Sequence, residues 1–206
     1  MPAQSSPPPR IFQRLDTTAK RPYSMREYVL RIPWEWVSTL LLRPSPRKAL
    51  AWRRWWVNLF GGKMHPTAGF RPSARIFHPW LLTMGQHSMI ADNVEVYNLG
   101  PITIGDHSVV SQDACLCAGT HDYTQPNLPL LRPSIVIGHG VWICAGAFIG
   151  PGVTIGDNSI VGARAVVMSD VRSGVIVAGN PAKVIKPRPM PLEFFEHPGD
   201  GSIAPK

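Results

Sequence analysis

The sequence predicts an all-β solenoid, because an aliphatic residue recurs at every sixth position over a long stretch. Six residues is neither the helical period nor the simple strand period, and one inward aliphatic residue per unit fits a short strand followed by a turn. Three such units make one triangular coil, and stacked coils bury an aliphatic column that a single unit would leave exposed. The units that establish this period open at Ile137, Ile143, Ile149, Ile155, Val161 and Val167.

An upstream block carries the same pattern, and a Pro-rich stretch separates the two blocks. After His121 the register breaks for residues 122–134 and resumes at Ile137. A stretch thrown out of a regular repeat is expected to be a surface loop, and such loops commonly carry function. The upstream units open at Ile90, Val96, Ile104, Val110 and Leu116, with a slip of two residues before Ile104.

The N-terminal third lacks the repeat and is expected to be helical. Pro33 suits the first turn of a helix that runs to about Leu42, whereas Ser45 and Pro46 suit the start of a second helix that ends before Gly61. The resulting organisation is a flexible Pro- and Ser-rich tail over 1–24, a Trp-rich basic helical segment over 25–73, the solenoid over 74–188 with its loop, and a C-terminal tail over 189–206.

Positive charge and tryptophan are concentrated in this N-terminal part. Residues 1–75 contain 14 Lys or Arg against 3 Asp or Glu, whereas residues 76–206 contain 7 against 10. Five of the seven tryptophans fall between Trp34 and Trp56. Indole rings and cations both favour a lipid headgroup layer, so residues 33–60 are candidates for peripheral membrane contact. The alternative is that the helices cap the open end of the solenoid, and the two roles are compatible.

Several classes of protein are not favoured by the sequence. No nucleic-acid motif accompanies the basic segment, and no apolar signal core opens the chain. The longest apolar stretch, 28–42, is interrupted by Arg31, Pro33 and Glu35 and is too short and charged to span a bilayer. We therefore expect a cytoplasmic protein, with any membrane contact at the inner face. An odd number of cysteines argues against a disulfide framework.

Two further motifs connect the repeat with a known family. The sequence Ala-Gly-Thr-His-Asp-Tyr, residues 118–123, stands where the register breaks, and Val-Ala-Gly-Asn-Pro-Ala-Lys-Val-Ile, residues 177–185, closes the array. Together with the repeat they resemble the left-handed β-helix O-acetyltransferases. Within that family the chain most resembles the colanic acid biosynthesis acetyltransferases, relatives of the galactoside, maltose and nodulation-type enzymes. The resemblance covers residues 74–188 and, in outline, the Trp-rich segment.

The resemblance implies a left-handed parallel β-helix, a homotrimer, and transfer of acetyl from acetyl-CoA to a saccharide hydroxyl. The acceptor would be a saccharide or lipid-linked saccharide in exopolysaccharide or surface polysaccharide assembly. His121 matches the family's general base. Such a base is needed because a sugar hydroxyl must lose its proton as it attacks a thioester, and imidazole titrates near neutral pH.

Acceptor contacts are expected from residues near His121. Asp122 is a candidate either to steer the imidazole or to contact the acceptor. Neighbouring side chains in an extended chain point apart, so a backbone carbonyl is the alternative partner for His121. Tyr123 and Asn98 are further candidates for acceptor contacts, although a turn-forming role is equally open for Asn98.

The donor site is placed by the resemblance on a groove between two subunits. Trp142 matches the family's Trp-Ile step, although a role as an outward aromatic residue that covers the edge of a coil is equally open. The backbone N–H of Ala145 would stabilise the oxyanion that develops on the thioester. Gly162 and Ala163 match positions where small residues let the pantetheine arm lie against the backbone.

Charged contacts to the CoA phosphates are expected from Lys183 and Lys186, for which a solvated surface role is the alternative. Ser169 stands where the family often has a lysine, and serine cannot supply that charge.

Three alternatives share the scaffold. The gamma-class carbonic anhydrases hold a metal with histidines that include a pair five residues apart, but Leu116 and Pro126 stand five residues either side of His121, so no metal is expected. An antibiotic acetyltransferase would use a comparable histidine. A non-catalytic scaffold or membrane-recruited binding module would need neither the histidine nor the loop, which favours an enzyme.

Overall fold

The structure, a computed structural model, describes residues 12–14, 16 and 22–191. Most of the predicted tail over 1–24 and nearly all of the tail over 189–206 lie outside the described residues. Two helices precede the strands: α1 (Met25–Val37), which continues through a π-helical turn (Ser38–Leu42), and α2 (Leu50–Leu59). Neither of these helices has the length and apolar character needed to cross a bilayer.

Both helices begin at different residues from those predicted. Ser24 and Glu27 form a capping box at the start of α1, in which the Ser24 hydroxyl accepts from the Glu27 N–H at 3.3 Å. The Glu27 carboxylate in turn accepts from the Ser24 N–H at 2.8 Å, so the helix starts ahead of Pro33, which lies inside it. Ser45 does not cap α2, because its hydroxyl donates to the carbonyl of Leu42 and accepts from Arg53.

The solenoid is built coil by coil from short strands. The first coil contains β1 (Lys63–Met64), β2 (Gly69–Phe70) and β3 (Arg75–Ile76); the second, after a 3₁₀ turn (Pro79–Leu81), contains β4 (Leu82–Met84), β5 (Met89–Ile90) and β6 (Glu95–Tyr97). The third contains β7 (Ile102–Ile104), β8 (Val109–Val110) and β9 (Cys115–Cys117), and is followed by β10 (Thr120–His121) and β11 (Leu130–Leu131). The fourth and fifth contain β12 (Ile135–Ile137), β13 (Trp142–Ile143), β14 (Phe148–Ile149), β15 (Thr154–Ile155), β16 (Ile160–Val161) and β17 (Val166–Val167). The last contains β18 (Val175–Gly179) and β19 (Ala182–Pro187).

Consecutive strands lie on consecutive faces of a triangular prism. The first sheet has the order β1-β4-β7-β12-β15, the second β2-β5-β8-β13-β16-β18-β19, and the third β3-β6-β9-β14-β17. All neighbours within these sheets are parallel except β18 and β19. The predicted column is confirmed, since Ile143, Ile149 and Ile155 are each 0% exposed.

The solenoid starts at β1, earlier than the expected boundary at residue 74. Met64 and Phe70 fill the inward positions of the first coil and are buried. Neither is one of the β-branched or leucine residues that mark the later units, so the repeat is not visible there in the sequence.

The inner sides of the helices close the first coil. Trp34 is buried, and its indole N–H donates to the carbonyl of Ile76 at 2.7 Å. Arg53 is also buried, and its guanidinium donates to the carbonyl of Phe70 at 2.8 Å and to three further oxygens of residues 45–47, which precede α2. A buried guanidinium needs such partners, because an unpaired buried charge is strongly unfavourable. The predicted capping role of the helical segment is therefore confirmed for its inner face.

Candidate active site

The interruption of the repeat forms a β-hairpin. β10 and β11 pair antiparallel, with Thr120 opposite Leu131 and His121 opposite Leu130. The hairpin leaves the solenoid after β9 of the third sheet, and the chain re-enters at β12 of the first sheet. It therefore projects from the corner between these two sheets, which is opposite the second sheet.

His121 lies at the base of this hairpin and is held by a backbone carbonyl. Its Nδ1 lies 2.6 Å from the carbonyl oxygen of Leu128. Because a carbonyl oxygen can only accept, Nδ1 carries the proton in this contact, and in the neutral ring Nε2 is left as a proton acceptor. The side chain is exposed. This arrangement is the one a general base requires.

Asp122 organises the loop and does not contact the imidazole. Its carboxylate accepts from the N–H and hydroxyl of Thr124 and, at 2.8 Å, from the side-chain amide of Gln125. These hydrogen bonds, led by the one from the Thr124 hydroxyl, lower the pKa of Asp122. Tyr123 is 82% exposed at the same end of the hairpin.

Asn98 is fully buried beneath the hairpin. Its side-chain oxygen accepts from the N–H groups of Phe77 and His78 at 3.1 and 2.9 Å. Its amide nitrogen donates to the carbonyl of His78 at 2.6 Å. Both ends of the side chain are thus occupied by the backbone of the preceding coil, which gives Asn98 a structural role at the corner where the loop emerges.

The return arm of the hairpin is anchored by Arg132, which sequence reasoning did not single out. Its guanidinium donates to the Glu27 carboxylate and to the carbonyls of Leu99 and Pro22, and it lies 4.8 Å above the ring of Tyr23. Burial by itself raises the pKa of Glu27, but hydrogen bonds from Arg132 and Ser24 outweigh it and hold that pKa at about 2. For Glu27, the available sequence signal was its capping-box spacing from Ser24, which marks the start of α1.

His78 is a second histidine at this corner and was likewise not predicted. It is 1% exposed, and its Nδ1 has no hydrogen-bond partner among the described residues. Its ring stacks on Trp80 at 4.9 Å and meets the Tyr23 ring edge-on at 5.4 Å. Burial, with a smaller contribution from nearby arginines, lowers the pKa of His78 to about 4. The residue is therefore neutral at physiological pH and part of the packing under the loop.

The predicted donor residues lie on the second sheet and at its corner with the third. The indole of Trp142, on β13, is 48% exposed, and its N–H donates to the hydroxyl of Ser111 at 2.9 Å. Ala145 lies in the turn that follows, where its carbonyl accepts from the backbone N–H of Arg164 at 2.9 Å. Its own N–H finds no acceptor within the part of the chain that the structure describes. Ala163 is exposed in the adjacent turn.

Gly162 is required by the stacking of coils. A Cβ at this position would lie 2.9 Å from the Cβ of Ala178 and 3.2 Å from the carbonyl of Val177. The missing side chain is thus already explained by packing inside the protomer, whatever its role toward a ligand.

Lys183 and Lys186 are both exposed on β19. One row of paired residues joins Trp142, Ile160, Ile176 and Lys186 across the second sheet. Three strand spacings separate the ends of this row, about 14 Å. Ser169 is exposed after β17, at the corner between the third and first sheets, and a serine has no charge with which to replace the expected lysine.

Within one protomer these two groups of residues are on opposite sides of the prism. The hairpin with His121 projects from the corner between the first and third sheets, whereas Trp142 lies on the second sheet.

No three His, Cys, Asp or Glu side chains of the described ranges gather as a metal-ligand set. The three cysteines carry free thiols, and burial raises the pKa of Cys115 to about 12.

Known proteins share this architecture and much of this sequence. A family model described as bacterial transferase hexapeptide (six repeats) matches residues 134–169. The WcaF protein of Escherichia coli (strain K12), named as a colanic acid biosynthesis acetyltransferase, is 41% identical over 155 residues, 75% of this chain and 85% of that protein. The galactoside O-acetyltransferase of the same strain is 35% identical over 97 residues, 46% of this chain and 48% of that protein. A hexapeptide-repeat acetyltransferase of Vibrio cholerae O1 biovar eltor, solved with acetyl-CoA, superposes with a TM-score of 0.73 at 28% identity and covers 85% of this chain and 96% of its own.

The fold and these similarities define an acyltransferase built on a left-handed parallel β-helix. Within that class, the chain belongs to the hexapeptide-repeat acetyltransferase family. The non-catalytic scaffold considered from the sequence is therefore not supported, and the protein is an acetyltransferase.

Proposed function

We propose that this enzyme transfers acetyl from acetyl-CoA to a saccharide hydroxyl, with His121 as the general base. The observation that carries the proposal is the 2.6 Å contact between His121 Nδ1 and the Leu128 carbonyl, which leaves Nε2 free to accept a proton. The solved relative that contains acetyl-CoA supports the donor. The names of the colanic acid and galactoside relatives support a sugar as the acceptor.

The chemistry requires one proton to move twice. Acetyl-CoA supplies an activated acetyl thioester. His121 Nε2 takes the proton of the attacking hydroxyl while its oxygen forms a bond to the carbonyl carbon. When the carbon–sulfur bond breaks, the protonated ring returns that proton to the departing sulfur. The transfer is direct, with no covalent acyl-enzyme.

The residues on the second sheet suit the donor. The N–H of Ala145, which has no acceptor among the described residues, would stabilise the negative charge that develops on the thioester oxygen. The exposed face of Trp142 would pack against the pantetheine arm beside Ala163, and the ammonium groups of Lys183 and Lys186 would meet the phosphates. Gly162 would keep the backbone accessible at this turn.

We also propose that the active site forms between subunits of a homotrimer. The base and the donor residues lie on opposite sides of one protomer, so a single copy cannot bring them together. In a closed ring of three copies, the hairpin of one subunit would face the second sheet of its neighbour. Asp122 would hold the hairpin in shape, and Tyr123 at its exposed end would contact the acceptor.

The proposed biological setting is exopolysaccharide or surface polysaccharide assembly in the cytoplasm, on a free or lipid-linked saccharide.

The test measures CoA release by the purified enzyme with acetyl-CoA and a panel of mono- and oligosaccharides, with chloramphenicol as an antibiotic acceptor. Saccharide-dependent release that disappears in a folded His121→Ala variant is the expected result. Release with the antibiotic alone, or none with any saccharide, would overturn the proposed acceptor class.

A further inference from the structure

The two N-terminal helices are apolar on their outer sides as well as their inner sides. The inner residues Trp34, Leu42 and Val57 belong to the core of the first coil. On the outer side of α1, Val29 is 62%, Ile32 65% and Trp36 65% exposed. These positions are three and four residues apart, so they form one stripe along the helix. The capping function therefore accounts for only some of the apolar residues in this segment.

The outer side of α2 continues this surface. Trp52 is 44%, Trp55 53% and Leu59 59% exposed, and the rings of Trp52 and Trp55 stack with centroids 6.0 Å apart. We call Val29, Ile32, Trp36, Trp52, Trp55 and Leu59 the outer helical face.

A groove of about 440 Å³ lies between the two helices. Leu59 lines the groove, and Leu30 and Pro33 line it beside Val29 and Ile32 of the stripe. Exposed apolar surface of this extent marks an interaction site.

Exposed cations lie on the same helical segment as the outer helical face. Arg26, Arg31, Arg43 and Lys48 are exposed, and none of them forms an ion pair with another described residue. The segment 25–62 contains two acidic residues, of which Glu27 is already paired with Arg132 and only Glu35 is left. The partner that complements this face therefore has a negatively charged surface and an apolar interior.

We infer that the outer helical face docks the enzyme on an anionic phospholipid bilayer. Indole rings gain at the headgroup level, aliphatic side chains enter the acyl boundary, and the flanking cations meet lipid phosphates. The surface refines the expectation for residues 33–60: Trp34, Leu42 and Val57 are unavailable to lipid, whereas the contact extends back to Arg26. The inference stands independently of the proposed chemistry at His121.

Helix α1 also contacts the hairpin. Glu27, in the first turn of α1, holds Arg132 in the return arm of the hairpin. The same helix thus carries both the outer helical face and an anchor of the hairpin that bears His121.

The experiment uses the full-length protein in vesicle flotation, with neutral phosphatidylcholine vesicles and with vesicles that contain about one third phosphatidylglycerol. We expect binding to the anionic vesicles that weakens as salt is raised, because the cation contribution is screened. Ile32→Ser/Trp36→Ser should weaken this binding by about tenfold or more. Val184→Ser/Ile185→Ser, which changes exposed apolar residues on β19, is the matched control and should bind as the wild type does.

Two results would overturn the inference. One is equal binding of anionic vesicles by the wild type and Ile32→Ser/Trp36→Ser. The other is the absence of any preference of the wild type for the anionic over the neutral vesicles. If the first result is accompanied by a change in oligomeric state by light scattering, the face is assigned to contacts between copies of the chain. Circular dichroism verifies that each variant is folded. CoA release with a soluble acceptor is measured in parallel, so that a failure of the membrane inference is distinguished from a failure of the proposed chemistry.

Discussion

The carbonyl oxygen of Leu128 lies 2.6 Å from Nδ1 of His121, across the hairpin that interrupts the β-helix. This contact selects the ring tautomer and aims Nε2 away from the loop. The orienting group is thus part of the backbone, and its position depends on the shape of the hairpin. The residues that hold that shape, Asp122 in the turn and Arg132 in the return arm, act on His121 only through the loop.

Replacing Asp122 by alanine should reduce turnover far less than loss of the base. The carboxylate accepts three hydrogen bonds from Thr124 and Gln125 and none from His121. We expect Asp122→Ala to lower kcat about threefold to tenfold through a less ordered loop. Steady-state kinetics measures this value. A loss as large as that of His121→Ala would instead show that Asp122 acts directly on the imidazole.

Asn98→Leu should destabilise the fold. The substitution leaves the buried N–H of His78 without a partner, whereas the N–H of Phe77 and the carbonyl of His78 keep their hydrogen bonds to Val96 and Leu81. An unsatisfied buried group costs about 1–3 kcal/mol, so we expect a loss of about 1–3 kcal/mol in the free energy of unfolding. Urea denaturation measures it. A variant of unchanged stability with a raised acceptor KM would favour a direct contact of Asn98 with the sugar.

The ion pair between Glu27 and Arg132 should couple the helical segment to the hairpin. Both side chains are mostly buried, and a double-mutant cycle with Glu27→Gln and Arg132→Gln should give a coupling of about 1–3 kcal/mol near neutral pH. The pKa of Glu27 is lowered from 4.5 to about 2, so its stabilising contribution is complete above 4.5 and is lost as the pH falls toward 2. The coupling measured at about pH 3 should therefore be smaller than at about pH 7. A coupling of zero at both values would contradict the anchoring role.

His78 should make the protein less stable in mild acid. Its pKa is lowered from 6.5 to about 4, so between these values the unfolded chain binds a proton that the folded protein does not. The stability that follows from this shift is present above 6.5 and is lost as the pH falls to 4. In urea denaturation, the wild type should lose free energy of unfolding over this window more steeply than His78→Leu. Parallel pH profiles would mean that His78 is not the responsible group.

The β-helix could be predicted from the sequence because its signal is local and repeated. Each buried isoleucine of the later coils, such as Ile143 and Ile149, recurs at a fixed spacing and faces the same column. The first coil could not be predicted from the repeat, because Met64 and Phe70 occupy the inward positions that branched aliphatic residues hold in the later coils. The start of α1 was assigned to Pro33, although the spacing of Ser24 and Glu27 was the stronger signal.

The candidate site could be predicted only in part. The break in the repeat marks the position of His121, and its role as the base is implied by the resemblance of residues 118–123 to the O-acetyltransferases. Its partner is a backbone carbonyl, which has no signature in a sequence, and the φ of 44° at Leu128 that helps present this carbonyl occurs in a residue that rarely adopts it. The pairing of Glu27 with Arg132 joins two distant parts of the chain through the fold, so neither residue alone indicated it.

The role of His121 is tested most directly by the turnover of a folded His121→Ala variant with acetyl-CoA and a saccharide acceptor. A base positioned as His121 is contributes about 10²–10⁴ to the rate, so kcat should fall by that factor while circular dichroism and the oligomeric state stay unchanged. Unchanged turnover in a variant that is folded and assembled as the wild type would contradict the assignment of His121 as the general base.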